Sequence, residues 1–184
     1  DLVYFAMANE WAARKISKGS QFSVKTNGWI EEIKKSLPYS LTKDQMDAIE
    51  SMTQFAADGH RINALVQGDV GCGKSIVAFC LMMTMAENGY QAAVMAPTLV
   101  LARQHYEDLS ALEEPFGVSV VWLGSDLKTS EKKKALAVIK EGKAQLIVGT
   151  QSIIGEDVEY KNLALTVTDE EHKFGVDQRT ALIE

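Results

Sequence analysis

Cysteine is scarce in this chain, whose 184 residues contain two, Cys72 and Cys80. Neither has a His or Cys neighbour at the spacing of a zinc site, and two thiols cannot form the framework of a disulfide-stapled protein. This scarcity argues against zinc fingers and against small secreted disulfide proteins. We expect a reducing compartment, the cytoplasm.

Long apolar runs and an excess of positive charge are also missing. The most apolar stretch, residues 76–86, is too short to cross a bilayer, and we expect no membrane partner. Lys and Arg number 19 against 25 Asp and Glu, which gives a net charge of −6. This balance argues against a nucleic-acid binder with a broad basic surface, but not against one that holds a strand through backbone amides and helix ends.

The remaining composition is that of a globular protein, with 46% hydrophobic and 24% charged residues. The length suits one α/β domain with some additional helix. The chain starts at Asp1 without a methionine, inside a helix-like pattern, and stops at Glu184 inside another. We therefore expect a piece of a longer protein.

A glycine-rich segment, GDVGCGKS at 68–75, matches the phosphate-loop pattern GxxxxGK[ST]. It lies between a predicted strand, Ile62 to Val66, and a predicted helix, Ser75 to Ala86, which is the context this motif requires. Its glycines let the backbone curl with its amides towards a polyphosphate, the Lys would reach the β- and γ-phosphates, and the Ser would ligate Mg²⁺. The predicted nucleotide-binding residues of this loop are Gly68, Asp69, Val70, Gly71, Cys72, Gly73, Lys74 and Ser75.

Strand and helix patterns alternate after residue 59. Short apolar runs between helical segments indicate a mostly parallel sheet with helices on both faces, the α/β fold of a P-loop NTPase. Ligands of such sheets lie at the carboxyl ends of the strands. The predicted strands are Ile62 to Val66, Ala92 to Met95, Val118 to Trp122, Leu146 to Val148 and Leu163 to Val167.

Three helices are predicted before this sheet, from Asp1 to Lys18, from Trp29 to Ser36, and from the N-cap Thr42 to Asp58. Gln45, three residues after Thr42, completes a capping box. Its amide could instead read an adenine on which Tyr39 stacks, but the spacing alone favours the cap.

An acidic cluster, Asp169, Glu170 and Glu171, follows the last predicted strand, with His172 beside it. A carboxylate at a strand end can hold the Mg²⁺ that bridges two phosphates, and a second one can orient the attacking water. The alternative is an acidic helix start, which the neighbouring phosphate loop disfavours. His172 could link the carboxylates to another loop or be an ordinary surface residue.

Together these segments resemble the superfamily 2 DNA helicases and, within that class, the RecG family. The resemblance covers nearly the whole chain, more weakly before Leu37. Transcription-repair coupling factors also contain GDVGxGK and a DExH segment followed by FGV. The longer ending of this segment, FGVDQR, favours RecG. The matching segments are LPYSLTKDQ (37–45), GDVGCGKS (68–75), APTLVLARQH (96–105), WLGS (122–125), VGTQ (148–151) and DEEHKFGVDQR (169–179).

The resemblance implies an ATP-dependent DNA helicase or translocase that uses ATP and Mg²⁺. It implies a RecA-like ATP-binding domain over 37–184, preceded by a helical connector over 1–36. Lys74 and Asp169 would bind phosphate and metal, and Glu170 would activate the water. Gln45 would then read adenine, and His172 would couple the nucleotide site to DNA. The residues expected on the DNA side are Thr98, Gly124 and Thr150, although an ordinary strand-to-helix turn explains such segments equally well.

The same resemblance implies partners that this sequence does not contain. A second RecA-like domain with an arginine finger would follow Glu184, a wedge domain would precede Asp1, and the substrate would be branched or duplex DNA. Three residues depart from the usual RecG pattern: Gln151 stands where a His is common, Leu99 where Glu is usual, and Glu171 where Gln is frequent. Glu171 matches the coupling factors instead.

Two other classes of function remain open at this point. A P-loop kinase or GTPase is disfavoured because the chain has no NKxD guanine motif and has Glu170 after the strand-end Asp. A nucleotide-gated interaction module would keep its function in the full-length protein after Glu170→Gln.

Overall fold

A computed structural model of the chain describes residues 4–7, 22–25, 28–60, 62, 64–69 and 71–169. The chain divides into two compact units, Asp1–Asn88 and Gly89–Glu184. No helix within the described ranges combines the length and the hydropathy that crossing a bilayer requires.

The described residues of the first unit form two strands and three helices. Helix α3 is apolar on all sides and buries nine of its residues, which is typical of a helix at the centre of a unit. Helices α1 and α2 pack against it. The elements in chain order are β1 (Tyr4–Met7), α1 (Trp29–Ser36), α2 (Lys43–Ala57), β2 (Ala64–Gln67) and α3 (Lys74–Glu87).

The helix predicted from Asp1 to Lys18 is wrong at Tyr4–Met7, which forms a strand antiparallel to β2. Tyr and Phe favour strands, and a short apolar run cannot be assigned to helix or strand by its periodicity. The rest of that predicted helix lies outside the described residues.

The strand predicted at Ile62 to Val66 corresponds to β2, but its predicted place in the parallel sheet is wrong. It pairs with β1, and three of its four residues are exposed. An apolar run identifies a strand without identifying its partner. Helix α1 and the capping box at the start of α2 are confirmed.

The second unit, as far as its described residue 169, is a parallel four-stranded sheet in the order β4-β5-β3-β6 with helices packed against it. Its core lies between the sheet and these helices, where Met95, Leu123 and Ile147 are fully buried against Ile139. The elements in chain order are β3 (Gln91–Met95), α4 (Leu99–Ser110), α5 (Glu113–Phe116), β4 (Val120–Leu123), α6 (Thr129–Lys140), β5 (Leu146–Gly149), a 3-10 helix (Gln151–Ile154) and β6 (Leu163–Thr168).

The register of the sheet aligns the ends of all four strands. Gly149 pairs with Leu123 on one side and with Met95 on the other, and Met95 also pairs with Thr168. The residues that follow these strands therefore share one edge of the sheet. They are Gly124, Thr150, Ala96 and Asp169.

Gln91, at the start of β3, is a buried polar residue whose amide is fully hydrogen-bonded. Its Nε2 donates to the carbonyls of Ile139 and Ala144, both at 2.9 Å. Its Oε1 accepts from the backbone N–H of Lys161 at 2.9 Å and of Asn162 at 3.1 Å. One side chain thus joins the end of α6, the loop before β5 and the loop before β6.

We predict that Gln91→Ala lowers the free energy of unfolding by about 3 kcal/mol, because four backbone groups lose their partner at a buried site. Urea unfolding followed by circular dichroism measures this. Gln104→Ala, at an exposed position of α4, is the matched control and should have an effect within about 0.5 kcal/mol. Equal losses in the two variants would contradict the role of Gln91.

Candidate functional site

The loop between β2 and α3 has the backbone that the motif predicts. Gly71 and Gly73 have φ values of 81° and 79°, in the left-handed region that glycine adopts without strain. A Cβ atom on Gly73 would lie 2.5 Å from Nε2 of Gln45. Glycine at 73 is therefore required by both its conformation and its surroundings. Val70 lies outside the described residues.

Lys74, the first residue of α3, folds back over this loop. Its Nζ donates to the carbonyls of Gly68 and Asp69, each at 2.8 Å, and lies 3.8 Å from Sγ of Cys72. The turn is closed by a hydrogen bond from the N–H of Cys72 to the carbonyl of Asp69 at 3.2 Å. The ammonium group is thus held by neutral carbonyl oxygens, which an anionic oxygen would replace favourably.

Gln45 is 6% exposed and holds the loop as well as the start of α2. Its Oε1 accepts from the N–H of Thr42 at 2.8 Å, which confirms the capping box. Its Nε2 donates to the carbonyls of Cys72 at 2.9 Å and Gly73 at 3.3 Å. This link to the loop was missed, because residues 27 or 28 positions apart leave no local sequence pattern. The adenine contact of Gln45 stays a prediction.

Tyr39 and Ser75 are placed by their elements. Tyr39 lies between α1 and α2 with 54% of its surface exposed. Ser75 is the second residue of α3, half-buried, beside Lys74. Their proposed contacts with adenine and with metal stay predictions.

The residues of the loop fit a polyphosphate and its magnesium ion. The N-cap of helix α3 is Gly73, which has no side chain, so the amides of the first helical turn have no side-chain oxygen as a cap. Such a helix start attracts anions, and Lys74 adds a full positive charge. Mg²⁺ prefers oxygen ligands, and Ser75 offers a hydroxyl oxygen beside Lys74.

The edge at the strand ends of the second unit holds the other described candidates. Thr98 caps α4, its Oγ1 accepting from the N–H of Leu101 at 3.3 Å. Thr150 precedes the 3-10 helix, with its Oγ1 3.5 Å from Oγ of Ser152. The DNA-side roles of these threonines stay predictions.

Gly124, the third residue expected on the DNA side, is enclosed by a side-chain cluster. A Cβ atom there would lie 2.2 Å from the ring of Trp122 and 2.5 Å from Oδ1 of Asp126. The Arg103 guanidinium stacks on Trp122 at 3.9 Å, and its Nη2 lies 2.7 Å from Oδ2 of Asp126. Packing alone is therefore enough to require glycine at 124.

Asp169 follows β6, and its backbone and its side chain each make a hydrogen bond to the neighbouring elements. Its N–H donates to the carbonyl of Met95 at 2.9 Å. Its Oδ2 lies 2.8 Å from Nε2 of His105. The Asp169 side chain is 26% exposed, whereas that of His105 is 5% exposed. The carboxylate is thus partly open to solvent while its histidine partner lies beneath the surface.

From the sequence, His105 is recognised only as the last residue of the matching segment APTLVLARQH (96–105). The signal that could have found it is the buried face of α4, on which Ala102, His105 and Leu109 follow one another at helical spacing. A histidine on such a face needs a polar partner. Glu170 and His172 lie outside the described residues, so their roles stay predictions.

Comparisons with known proteins agree with this fold and these motifs. The family model for DEAD/DEAH box helicases matches residues 42–184. The ATP-dependent DNA helicase RecG of Borreliella burgdorferi is 44% identical over 153 residues, 83% of this chain and 22% of that protein. RecG of Streptococcus pneumoniae is 39% identical over 188 residues, 100% of this chain and 27% of that protein.

A solved structure is also similar. The structure of RecG bound to a three-way DNA junction matches with a TM-score of 0.79 and 36% identity, over 89% of this chain and 23% of that one. This chain spans about a quarter of the length of these relatives. The expected resemblance to RecG and the expected RecA-like α/β fold are confirmed. With a helicase family model matching more than half of its residues, the chain belongs to the DEAD/DEAH box helicase family.

Proposed function

We propose that this chain is the ATP-binding lobe of a RecG-like ATP-dependent DNA helicase, in which ATP hydrolysis drives movement on branched or duplex DNA. The observation that carries the proposal is the loop before α3, where two left-handed glycines, the folded-back Lys74 and an uncapped helix start form a site for a polyphosphate. Family membership supports the activity.

In this proposal Lys74 exchanges its two carbonyl partners for oxygens of the β- and γ-phosphates. Ser75 and Asp169 would hold Mg²⁺, which neutralises phosphate charge. Glu170 orients the attacking water, and His172 couples the nucleotide to the DNA. Tyr39 and Gln45 would contact the adenine.

The partners in this proposal are DNA, a second RecA-like domain and a wedge domain. The chain spans about a quarter of its RecG relatives, which supports the expectation that further domains complete the protein. On the DNA side, Thr98 and Thr150 are supported by their positions after aligned strand ends. Two free thiols, Cys72 and Cys80, support a reducing location, the cytoplasm.

We predict that the isolated chain binds ATP in the presence of Mg²⁺ but hydrolyses it about 10³-fold or more slowly than the full-length protein with DNA, because the arginine finger is absent. Calorimetric titration measures binding, and phosphate release measures turnover. Lys74→Ala should weaken binding by about tenfold or more, since a charged hydrogen-bond donor is lost.

Lys43→Ala is the matched control, because Lys43 is also the first residue of a helix but is exposed. It should bind ATP like the wild type. Absence of binding by the folded wild type would contradict the ATP site, and strong DNA-stimulated turnover by the isolated chain would contradict the need for a second lobe.

A pair of variants separates the two roles of Gln45. Thr42→Ala and Gln45→Ala each break the capping box and should lower stability by about 1 kcal/mol. Gln45→Ala alone also removes the hydrogen bonds to the loop and the proposed adenine contact, so we predict roughly fivefold weaker binding of ATP with Mg²⁺ in that variant. Thermal unfolding and nucleotide titration measure the two effects. Equal nucleotide affinities in both variants would rule out a role of Gln45 in nucleotide binding, whether through the loop or through the adenine.

The two cysteines should differ in reactivity. Burial raises the pKa of the Cys80 thiol to about 11, so at pH 8 very little of it is the reactive thiolate. Cys72 is half-buried in the phosphate loop. We predict that iodoacetamide modifies Cys72 first and that ATP with Mg²⁺ slows this modification, as measured by mass spectrometry of digested protein.

Cys72→Ser is the control and should abolish the rapid modification. Two results would contradict nucleotide binding by this loop. One is equal labelling of both cysteines in the folded protein, and the other is labelling of Cys72 at the same rate with and without saturating nucleotide.

A further inference from the structure

The pair formed by His105 and Asp169 joins a helix to a strand end. His105 lies in the middle of α4, 4% exposed, on the same face as Ala102 and Leu109. Helix α4 packs against β4 and β5. The imidazole is therefore fixed to the sheet by the helix that carries it, independently of Asp169 and the strand before it.

The bond direction follows from the chemistry of the two groups. An ionised carboxylate only accepts hydrogen bonds, so Nε2 of His105 must carry the hydrogen and donate to Oδ2 of Asp169 across 2.8 Å. The backbone of Asp169 is held separately, through its N–H and the carbonyl of Met95. With main chain and carboxylate each fixed, the side chain is restricted to one orientation.

Resting on the proposed function, we propose that His105 is a positioning residue for magnesium binding. It holds the Asp169 carboxylate in the orientation in which it receives the Mg²⁺ that arrives with ATP. His105 touches neither nucleotide nor metal in this role. Partners that hydrogen-bond a metal-binding carboxylate typically change metal affinity about 10- to 100-fold when they are removed.

A packing role for His105 predicts something different. If the ring only filled space beneath the sheet edge, its replacement would lower stability or affect nucleotide binding with and without metal alike. A positioning role affects the step that requires metal. Measurements of ATP binding with and without Mg²⁺ therefore separate the two roles.

The experiment uses the full-length protein and a fluorescent ATP analogue, titrated in EDTA and then with increasing Mg²⁺. We expect His105→Phe, which keeps a ring but has no donor, to raise the Mg²⁺ concentration for half-maximal binding by about tenfold. Affinity for the analogue in EDTA should change less than about twofold, because the phosphate loop is untouched. His105→Gln, which restores a donor, should recover most of the metal response.

Two further variants act as references. His60→Gln alters an exposed histidine in the other unit and should leave the Mg²⁺ response unchanged. Asp169→Asn should raise the Mg²⁺ requirement at least as much as His105→Phe. Adding His105→Phe to Asp169→Asn should have little further effect, since both changes remove the same interaction.

Each remaining outcome decides the question. Three results would overturn the positioning role while leaving the proposed function intact. They are an unchanged Mg²⁺ response in His105→Phe, a loss of affinity in EDTA as large as the loss with Mg²⁺, and a failure of His105→Gln to recover the response. A wild type that binds no nucleotide under any condition would overturn both.

A measurement on the wild type covers the case in which His105→Phe does not fold. In a ¹⁵N-imidazole NMR spectrum, Nε2 of His105 should carry a hydrogen whose resonance shifts when Mg²⁺ and ATP are added. A resonance indifferent to both would overturn the proposal.

Discussion

The alignment of four parallel strands is the constraint on which the second unit depends. Hydrogen bonds between neighbouring strands bring Leu123, Gly149, Met95 and Thr168 to one level, so the residue after each of them lies at the same edge of the sheet. Four segments that are separate in the sequence therefore end at the same edge of the sheet. Asp169 is held there by the carbonyl of Met95 in the neighbouring strand and by His105 of the helix that follows that strand.

In the first unit, the phosphate loop is held by a residue far from it in sequence. Gly71 and Gly73 allow the left-handed turns, Lys74 bonds the carbonyls at the start of the loop, and Gln45 bonds those at its end. Such internal hydrogen bonds fix the loop backbone in advance of any ligand. A preorganised loop loses less conformational entropy when an anion binds, which favours affinity.

Local patterns predicted local structure well. The capping box at Thr42, helices α1 and α3, and the four strands of the parallel sheet follow from spacing and apolar runs. The phosphate loop follows from its motif. The predictions of strand pairing were wrong in the first unit. We expected β2 in the parallel sheet and a helix at Tyr4–Met7, but these two segments form an antiparallel pair of strands. The contacts of Gln45 with the loop and of His105 with Asp169 were equally invisible, because each joins residues that only folding brings together.

The buried amide of Gln91 has a consequence for folding fidelity. Strand β3 is buried along its whole length, so its apolar pattern does not distinguish one face from the other. A slip of one residue against its neighbours would keep the strand apolar but shift it by about 3.3 Å and turn every side chain over. Gln91 would then lose all four hydrogen bonds at once. A single polar residue thereby distinguishes the correct register from alternatives that hydrophobicity alone would accept.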